Sequence, residues 1–345
     1  GDWSAKIRNT RLWLRLERDS FWGKGSTYGE TVRLSDIKGL DASVRNSESA
    51  EVKFEYQRDA GTFFFEGAFR NGKGFGDFRF EASEEYISAM QKLGYDDLGS
   101  EDLFALAIHD VNRDFIKEME GLGYKNLALN RLIEMRIHGV EPDFVRDMND
   151  LGYEDIPVSR LVEMRIHGVG PEFVEEMKEL GVRDLSINRL VEFKIHGVSA
   201  QFASEMKELG LGDLLPPSRL VEFKIHGVTP QFVKEMHEAG YQDISPSRLV
   251  EFKINGVNPD FVEEVKELGY EDLSMARLVE FRIHGVTPGF IEAMQGLGYD
   301  DLSAGRLVEM KIHGVTPAYV RELRERGFKD LSARKIIEMK IHGIY

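Results

Sequence analysis

A unit of about 29 residues recurs from mid-chain to the C-terminal end, in the form Arg-Leu-Val-Glu-Phe-Lys-Ile-His-Gly-Val-Thr-Pro-x-Phe-Val-x-Glu-Met-x-x-Leu-Gly-Tyr-x-Asp-Leu-Ser. Its clearest mark is Ile-His-Gly-Val, with the histidines at His138, His167, His196, His226, His284 and His313 and Asn255 in the same place once. Diverged copies end at His109 and His342. A chain written this way is a repeat array, in which each copy packs mainly on its neighbours. Such an array predicts an extended surface for binding or spacing and leaves the partner open.

Within one copy the punctuation predicts two helices. Thr229-Pro230 opens the first, since threonine caps free amides and proline suits the first helical position, and Gly240 closes it. Phe232, Val233, Met236 and Ala239 share one face of this helix. Ser245-Pro246 opens the second, which runs through Arg248 to Ile254 and stops at Gly256. On a helical wheel Leu249, Val250, Phe252 and Ile254 span an apolar arc of about 200°, which predicts a second helix gripped from both sides and a first helix on the outside. The extra residue at Leu214-Leu215-Pro216-Pro217 falls between helices, where a stack of repeats can absorb it.

Residues 1–82 read differently. Apolar residues alternate at Leu12, Leu14 and Leu16 and at Val52, Phe54 and Tyr56, and Arg70-Asn71-Gly72-Lys73-Gly74 has hairpin chemistry. The pattern predicts about five antiparallel strands in a meander, near 11–18, 31–35, 51–57, 62–69 and 75–81. Trp3, Trp13 and Trp22 all lie here and read first as the aromatic core that a small sheet needs, with a platform for sugars or peptides as the functional alternative. Gly23-x-Gly25 and Gly72-x-Gly74-x-Gly76 lack a phosphate-cradle context and read as turns. The expected architecture is therefore α+β: a small antiparallel β domain over 1–82, then an α-solenoid of about nine two-helix repeats of 29–30 residues over 83–345. In the first repeat Asp102, Ala105 and Ala107 replace the Arg, Glu and Lys of later copies, which predicts a helix face packed on the sheet. The last copy is locally basic, with Arg321, Arg324, Arg326, Lys329, Arg334, Lys335 and Lys340.

The formal charge is −15, and residues 1–82 carry 14 Lys and Arg against 13 Asp and Glu, so the excess acid lies in the array. Phosphate backbones should be repelled, which argues against nucleic acid as a partner. The chain has 0 cysteines, which removes disulfides, thiolate zinc sites and cysteine nucleophiles and fits the periplasm and the cytosol equally. No apolar run approaches the roughly 18–20 residues that cross a bilayer, so no membrane span is expected in this chain. Its start at Gly1-Asp2-Trp3 leaves an upstream anchor open.

Four sets of residues invite a functional reading. The ladder His138, His167, His196, His226, Asn255, His284, His313 and His342 suggests metal ligands or a pH sensor. Packed helices lie about 8–10 Å apart, too far for imidazoles of two repeats to share one zinc, and asparagine at one rung neither titrates nor binds zinc well. Bonding to backbone carbonyls at helix ends is the expected role. A second ladder pairs Arg131, Arg160, Arg189, Arg219, Arg248, Arg277 and Arg306 with Glu134, Glu163, Glu192, Glu222, Glu251, Glu280 and Glu309 three residues later, at ion-pair spacing within a helix and with reach to the next repeat. The structural reading is favoured, and a charged peptide groove is the alternative. Where copies differ, at Arg146, Glu175, Ser204, Lys234, Glu263, Glu292 and Arg321, lie the candidates for partner contacts, although a solvated face with drifting charge looks the same. The fourth set, catalytic residues, is empty: there is no His-Glu-x-x-His, nucleophile elbow, phosphate loop or special carboxylate pair, so neither an enzyme nor a cofactor is expected.

The string Leu-Val-Glu-x-Lys/Arg-Ile-His-Gly-Val-Thr-Pro-x-Phe-Val follows a Gly/Phe-rich segment ending near Gly74-Phe75-Gly76-Asp77-Phe78-Arg79-Phe80. Together they resemble a helical-repeat region of bacterial proteins, some of which look like BlaR-type membrane antirepressor metallopeptidases with the repeats appended. The likeness covers nearly the whole chain, but the peptidase motif is absent and no proteolysis carries over. It implies a sensory or partner-binding appendage outside the cytoplasmic membrane. The leading expectation is a non-enzymatic protein-interaction scaffold. The first alternative has the β domain binding a glycan, peptide or small ligand with the array as a spacer, and the second is a pH-responsive rod.

Overall fold

Residues 1–18, 26–182, 185–211 and 216–344 are described by the structure, a computed structural model. They form an antiparallel sheet of seven strands followed by eighteen α-helices in a repeated arrangement, an α+β architecture. Trp22, Gly23, Gly25, Leu214 and Leu215 lie outside the described residues. The chain makes two compact units, Gly1–Pro171 and Glu172–Tyr345.

In the first unit the strands are β1 (Asp2–Arg8), β2 (Arg11–Arg18), β3 (Ser26–Arg33), β4 (Ile37–Lys38), β5 (Ala50–Arg58), β6 (Gly61–Arg70) and β7 (Lys73–Ala82). Their order is β3-β2-β1-β7-β6-β5-β4, so β1 sits centrally and joins two smaller meanders. This corrects the five-strand meander. The missed β1 does alternate, burying Trp3, Ala5 and Ile7, but with a small alanine in the middle its apolar signal is weak. The strand placed at 31–35 ends at Arg33, where Leu34–Asp36 turn as a 3-10 helix.

Gly74 and Gly76 also differ from expectation, since both lie inside β7 and only Gly72 turns, at φ 74°. A Cβ on Gly74 would come within 2.6 Å of the Trp3 and Phe69 rings, and one on Gly76 within 2.0 Å of the Glu66 carbonyl oxygen. Gly74 therefore makes room for the aromatic core, and Gly76 for the close backbone of the neighbouring strand. Trp3 anchors that core, edge-on to Phe54 at 5.1 Å, with its indole Nε1 donating to the Glu66 carbonyl at 3.0 Å.

The same unit holds α1 (Glu84–Lys92), α2 (Ser100–Ile108), α3 (Arg113–Gly121), α4 (Leu129–Ile137), α5 (Pro142–Asp150) and α6 (Val158–His167). Helix α2 packs on β6 and β7 through Phe104, whose ring lies 5.5–5.6 Å from Phe63, Phe80 and Tyr28, and Ala107 is buried beside it. Of the three substitutions that set the first copy apart, Ala107 is buried, whereas Asp102 and Ala105 are half-buried and Asp102 accepts from the Gly99 amide at 3.0 Å at the start of its own helix. At the sheet's other turn, Asp59 accepts from the backbone and guanidinium of Arg113 at 2.7–3.0 Å.

The second unit contains α7 (Pro171–Glu179), α8 (Ile187–Ile195), α9 (Ala200–Met206), α10 (Pro217–His226), α11 (Pro230–Glu238), α12 (Pro246–Asn255), α13 (Pro259–Glu267), α14 (Met275–His284), α15 (Pro288–Gln295), α16 (Ala304–Ile312), α17 (Pro317–Glu325) and α18 (Ala333–Ile341). Local chemistry sets these boundaries. Thr229 accepts from the Phe232 amide and Ser245 from the Arg248 amide, while Gly240 and Gly256 take left-handed φ values of 96° and 71°. Even helices pack on even ones, α8 through α18, and odd on odd, α9 through α17. No outer helix is distinguished by burial, because α11 buries Phe232, Val233 and Met236 as fully as α12 buries Leu249, Val250 and Phe252.

Polar clamps tie each copy to the next. Tyr241, Tyr270 and Tyr299 donate to the carbonyls of Leu273, Leu302 and Leu331 at 2.7–3.0 Å, and Tyr95 and Tyr124 do the same in the first unit. Each such bond is worth about 1 kcal/mol. Burial holds the Tyr241 and Tyr270 hydroxyls above their usual range. In the opposite direction Lys266 and Gln295 reach back to the Ala239 and Leu268 carbonyls at 2.7 and 2.9 Å, capping the ends of odd helices.

The Asp59–Arg113 contact gives the first unit a pH signature. Burial works against ionisation of Asp59, but the hydrogen bonds and charge of Arg113 outweigh it and hold the carboxyl below its ordinary value. Its contribution is therefore present above the unfolded value of about 3.9 and lost as pH falls through the lower folded value. Asp59→Asn should lower stability to denaturant at neutral pH, with the gap to the parent narrowing below about pH 4. A gap of constant size down to pH 3 would contradict this.

Candidate docking surface

Helix α12 shows how one repeat builds its exposed face. Leu249, Val250 and Phe252 fill the core, yet Ile254 is 62% exposed, against the expectation that it completes the buried arc. Ile254 lies about 40° beyond Val250 around the helix, at the edge of the arc and in the last turn. Immediately afterwards the chain reverses at Gly256, and the fully buried Val257 takes the core position, its amide donating to the Phe252 carbonyl at 2.8 Å. With Val257 seated, Ile254 has nothing to pack against.

The same displacement happens in every copy after the first. Ile137 and Ile166 in the first unit, and Ile195, Ile225, Ile254, Ile283, Ile312 and Ile341 in the second, are all between 54% and 62% exposed. The last six stand at one position on six successively packed helices. Single exposed apolar residues are ordinary, whereas a row at a fixed position is a surface.

Both polar ladders share this face. Arg131, Arg160, Arg189, Arg219, Arg248, Arg277 and Arg306 each pair with the glutamate three residues on, from Glu134 to Glu309. The pairs are internal to each helix and leave the face without net charge. The contact seen to the following repeat is Arg219 Nη2 to Ser247 Oγ at 3.3 Å.

The histidines do not take the expected role. His167, His196, His226, His284, His313 and His342 are exposed and His138 is half-exposed; among the described residues none of these imidazoles hydrogen-bonds. Only Asn255 bonds as expected, from Nδ2 to the Glu251 carbonyl at 2.9 Å. The reason is that backbone amides already occupy the terminal carbonyls, as Gly256 does for Lys253 and Val257 for Phe252. His109 is the exception in environment, half-buried near Tyr28, where burial lowers its pKa. Among the described residues no group of three or more His, Asp or Glu is placed to hold a metal ion.

A further ladder was legible only as unremarkable charge. Lys194, Lys224, Lys253 and Lys311 stand over Phe173, Phe202, Phe232 and Phe290 of the same repeat at 3.9–4.9 Å, and Arg282 stands over Phe261 at 4.9 Å. Arg282 also donates to the Asn255 carbonyl at 3.3 Å, stabilising the preceding helix end. These cations belong to the framework.

The variable positions fall elsewhere. Glu175, Lys234, Glu263, Glu292 and Arg321 are exposed on odd helices, Ser204 is half-buried there, and Arg146 on α5 pairs with Glu118 and Asp143. They are not brought together with the isoleucines. Drift at these positions, set beside isoleucine in all nine copies from Ile108 to Ile341, is the signal in the sequence that could have marked the row. The core position two residues earlier varies among Leu, Met and Phe, so the isoleucine position is the more uniform of the two.

No family model matches the chain, and no curated protein is similar to it. The geometry also ranks these side chains energetically. His284→Ala should change stability by less than about 0.5 kcal/mol, whereas Lys253→Ala should cost about 1 kcal/mol. Urea unfolding of the two variants checks the order, and a larger loss in His284→Ala would contradict it.

Proposed function

We propose that the chain is a non-enzymatic interaction scaffold whose even-helix face docks an elongated protein or peptide. The observation that carries this reading is the half-exposed isoleucine repeated at one position of α8, α10, α12, α14, α16 and α18. Covering the exposed half of one isoleucine is worth about 1 kcal/mol. Association itself costs several kcal/mol, so a partner must span several rungs to bind stably. The neighbouring Arg–Glu pairs supply donors and acceptors without a charge that would bias the surface toward one sign. In the setting that the bacterial resemblance implies, this scaffold is the partner-binding appendage of a signalling protein outside the cytoplasmic membrane. Among the described residues no helix is long and apolar enough to cross a membrane.

The test compares the full chain with Ile225→Ser/Ile254→Ser/Ile283→Ser and with the corresponding triple valine variant, each immobilised and exposed to a lysate of the source cells. A partner identified by mass spectrometry should be retained by the parent and the valine variant and lost from the serine variant. Thermal unfolding should be nearly unchanged, because these side chains lie outside the core. Equal retention by the serine variant would falsify the proposal.

A further inference from the structure

The outward face of the sheet carries a second, chemically different site. Alternation along β1, β2 and β3 sends Trp3, Leu12, Leu14 and Val32 inward and leaves their neighbours outside. The pairing then aligns Arg8 with Arg11 and Arg11 with Arg33, three guanidinium groups in one rank across three strands. In the adjoining rank Lys6 lies between Trp13 and Lys73. Like charges directly opposite one another destabilise a sheet. No carboxylate among the described residues pairs with Lys6, Arg8, Arg11, Arg33 or Lys73, although Arg15, Arg18, Arg58 and Arg79 of the same sheet all have acidic partners.

Of these cations Lys6, Arg8 and Arg11 line a cleft of about 600 Å³, together with Asn9, Trp13 and Thr31, while Arg33 and Lys73 stand beside it in the two ranks. That volume is in the range of small-ligand sites. Trp13 is 44% exposed while Trp3 is buried, so its indole is a free wall of the cleft and not part of the core. The turn holds Asn9 at φ 53°, at the end of the hairpin.

We propose that this cleft binds an anionic oligosaccharide. A sugar ring offers an apolar C–H face to an indole, hydroxyl groups to an amide and a hydroxyl such as Asn9 and Thr31, and, when acidic, carboxylate or sulfate groups to unpaired cations. The combination of one aromatic wall, neutral hydrogen-bonding groups and a rank of cations matches those three features together. A long nucleic acid is disfavoured by the chain's charge of −15.

Titration calorimetry of the full chain with tetragalacturonate and with a sulfated heparin tetrasaccharide tests the proposal and separates carboxylate from sulfate. At least one acidic sugar should bind, maltotetraose should not, and Trp13→Ala and Arg8→Ser/Arg11→Ser should each weaken binding about tenfold or more. All three side chains are exposed and removing Arg8 and Arg11 relieves an opposition of like charges, so neither variant should unfold at a clearly lower temperature than the parent. The proposal is overturned by failure of both acidic sugars to bind, by unchanged affinity in both variants, by equal binding of maltotetraose, or by binding of oligo-dT alone.

Discussion

Helices of seven to ten residues cannot support themselves, and the array is built around that constraint. Nucleating a helix is unfavourable, and two turns return too few hydrogen bonds to offset it. Each helix survives because two to four of its side chains are buried by neighbours, as Phe232, Val233 and Met236 of α11 are beside α9 and α13. The clamps follow from the same constraint. Short helices have many unpaired end carbonyls for their length, and Lys266 and Gln295 satisfy those of Ala239 and Leu268 in the preceding copy, while the tyrosine hydroxyls hold loop carbonyls just ahead of the next even helix. Val182, Leu211 and Phe328 stand where the other copies have this tyrosine, so the clamps are not uniform along the chain.

Much of this was legible because the punctuation of a helix is local. Thr229-Pro230, Ser245-Pro246 and Gly256 act on backbone within a few residues of themselves, and the structure places them as caps and stops. What failed to read depends on residues far away in sequence or on the end of a turn. Strand β1 is recognisable only through its pairing with β2 and β7, and Gly74 and Gly76 only through the rings and backbone they admit. Ile254 passed for core because a helical wheel ignores where the helix stops, and Val257 replaces it one turn later. The histidines seemed suited to capping until backbone amides proved to occupy the same carbonyls.

Two surfaces are left over once the framework is accounted for. One is the row of isoleucines with its neutral ion pairs, uniform from copy to copy, as a surface that repeats its contacts must be. The other is the cationic cleft at Trp13, which occurs once and whose like charges face each other at a cost to the sheet. Their chemistry is unlike enough that they need not share a ligand. The positions where copies differ, such as Glu175 and Lys234, contribute to neither.

The central claim is that a helix in the array is stable only through its neighbours. Amide hydrogen exchange of the full chain carrying Phe252→Ala measures this directly, since Phe252 is fully buried in α12. The account predicts that protection falls in α10 and α14 as well as in α12, by an amount reflecting about 3–5 kcal/mol at the centre. Loss of protection confined to α12, with α10 and α14 exchanging as in the parent, would show that the helices hold independently and would contradict it.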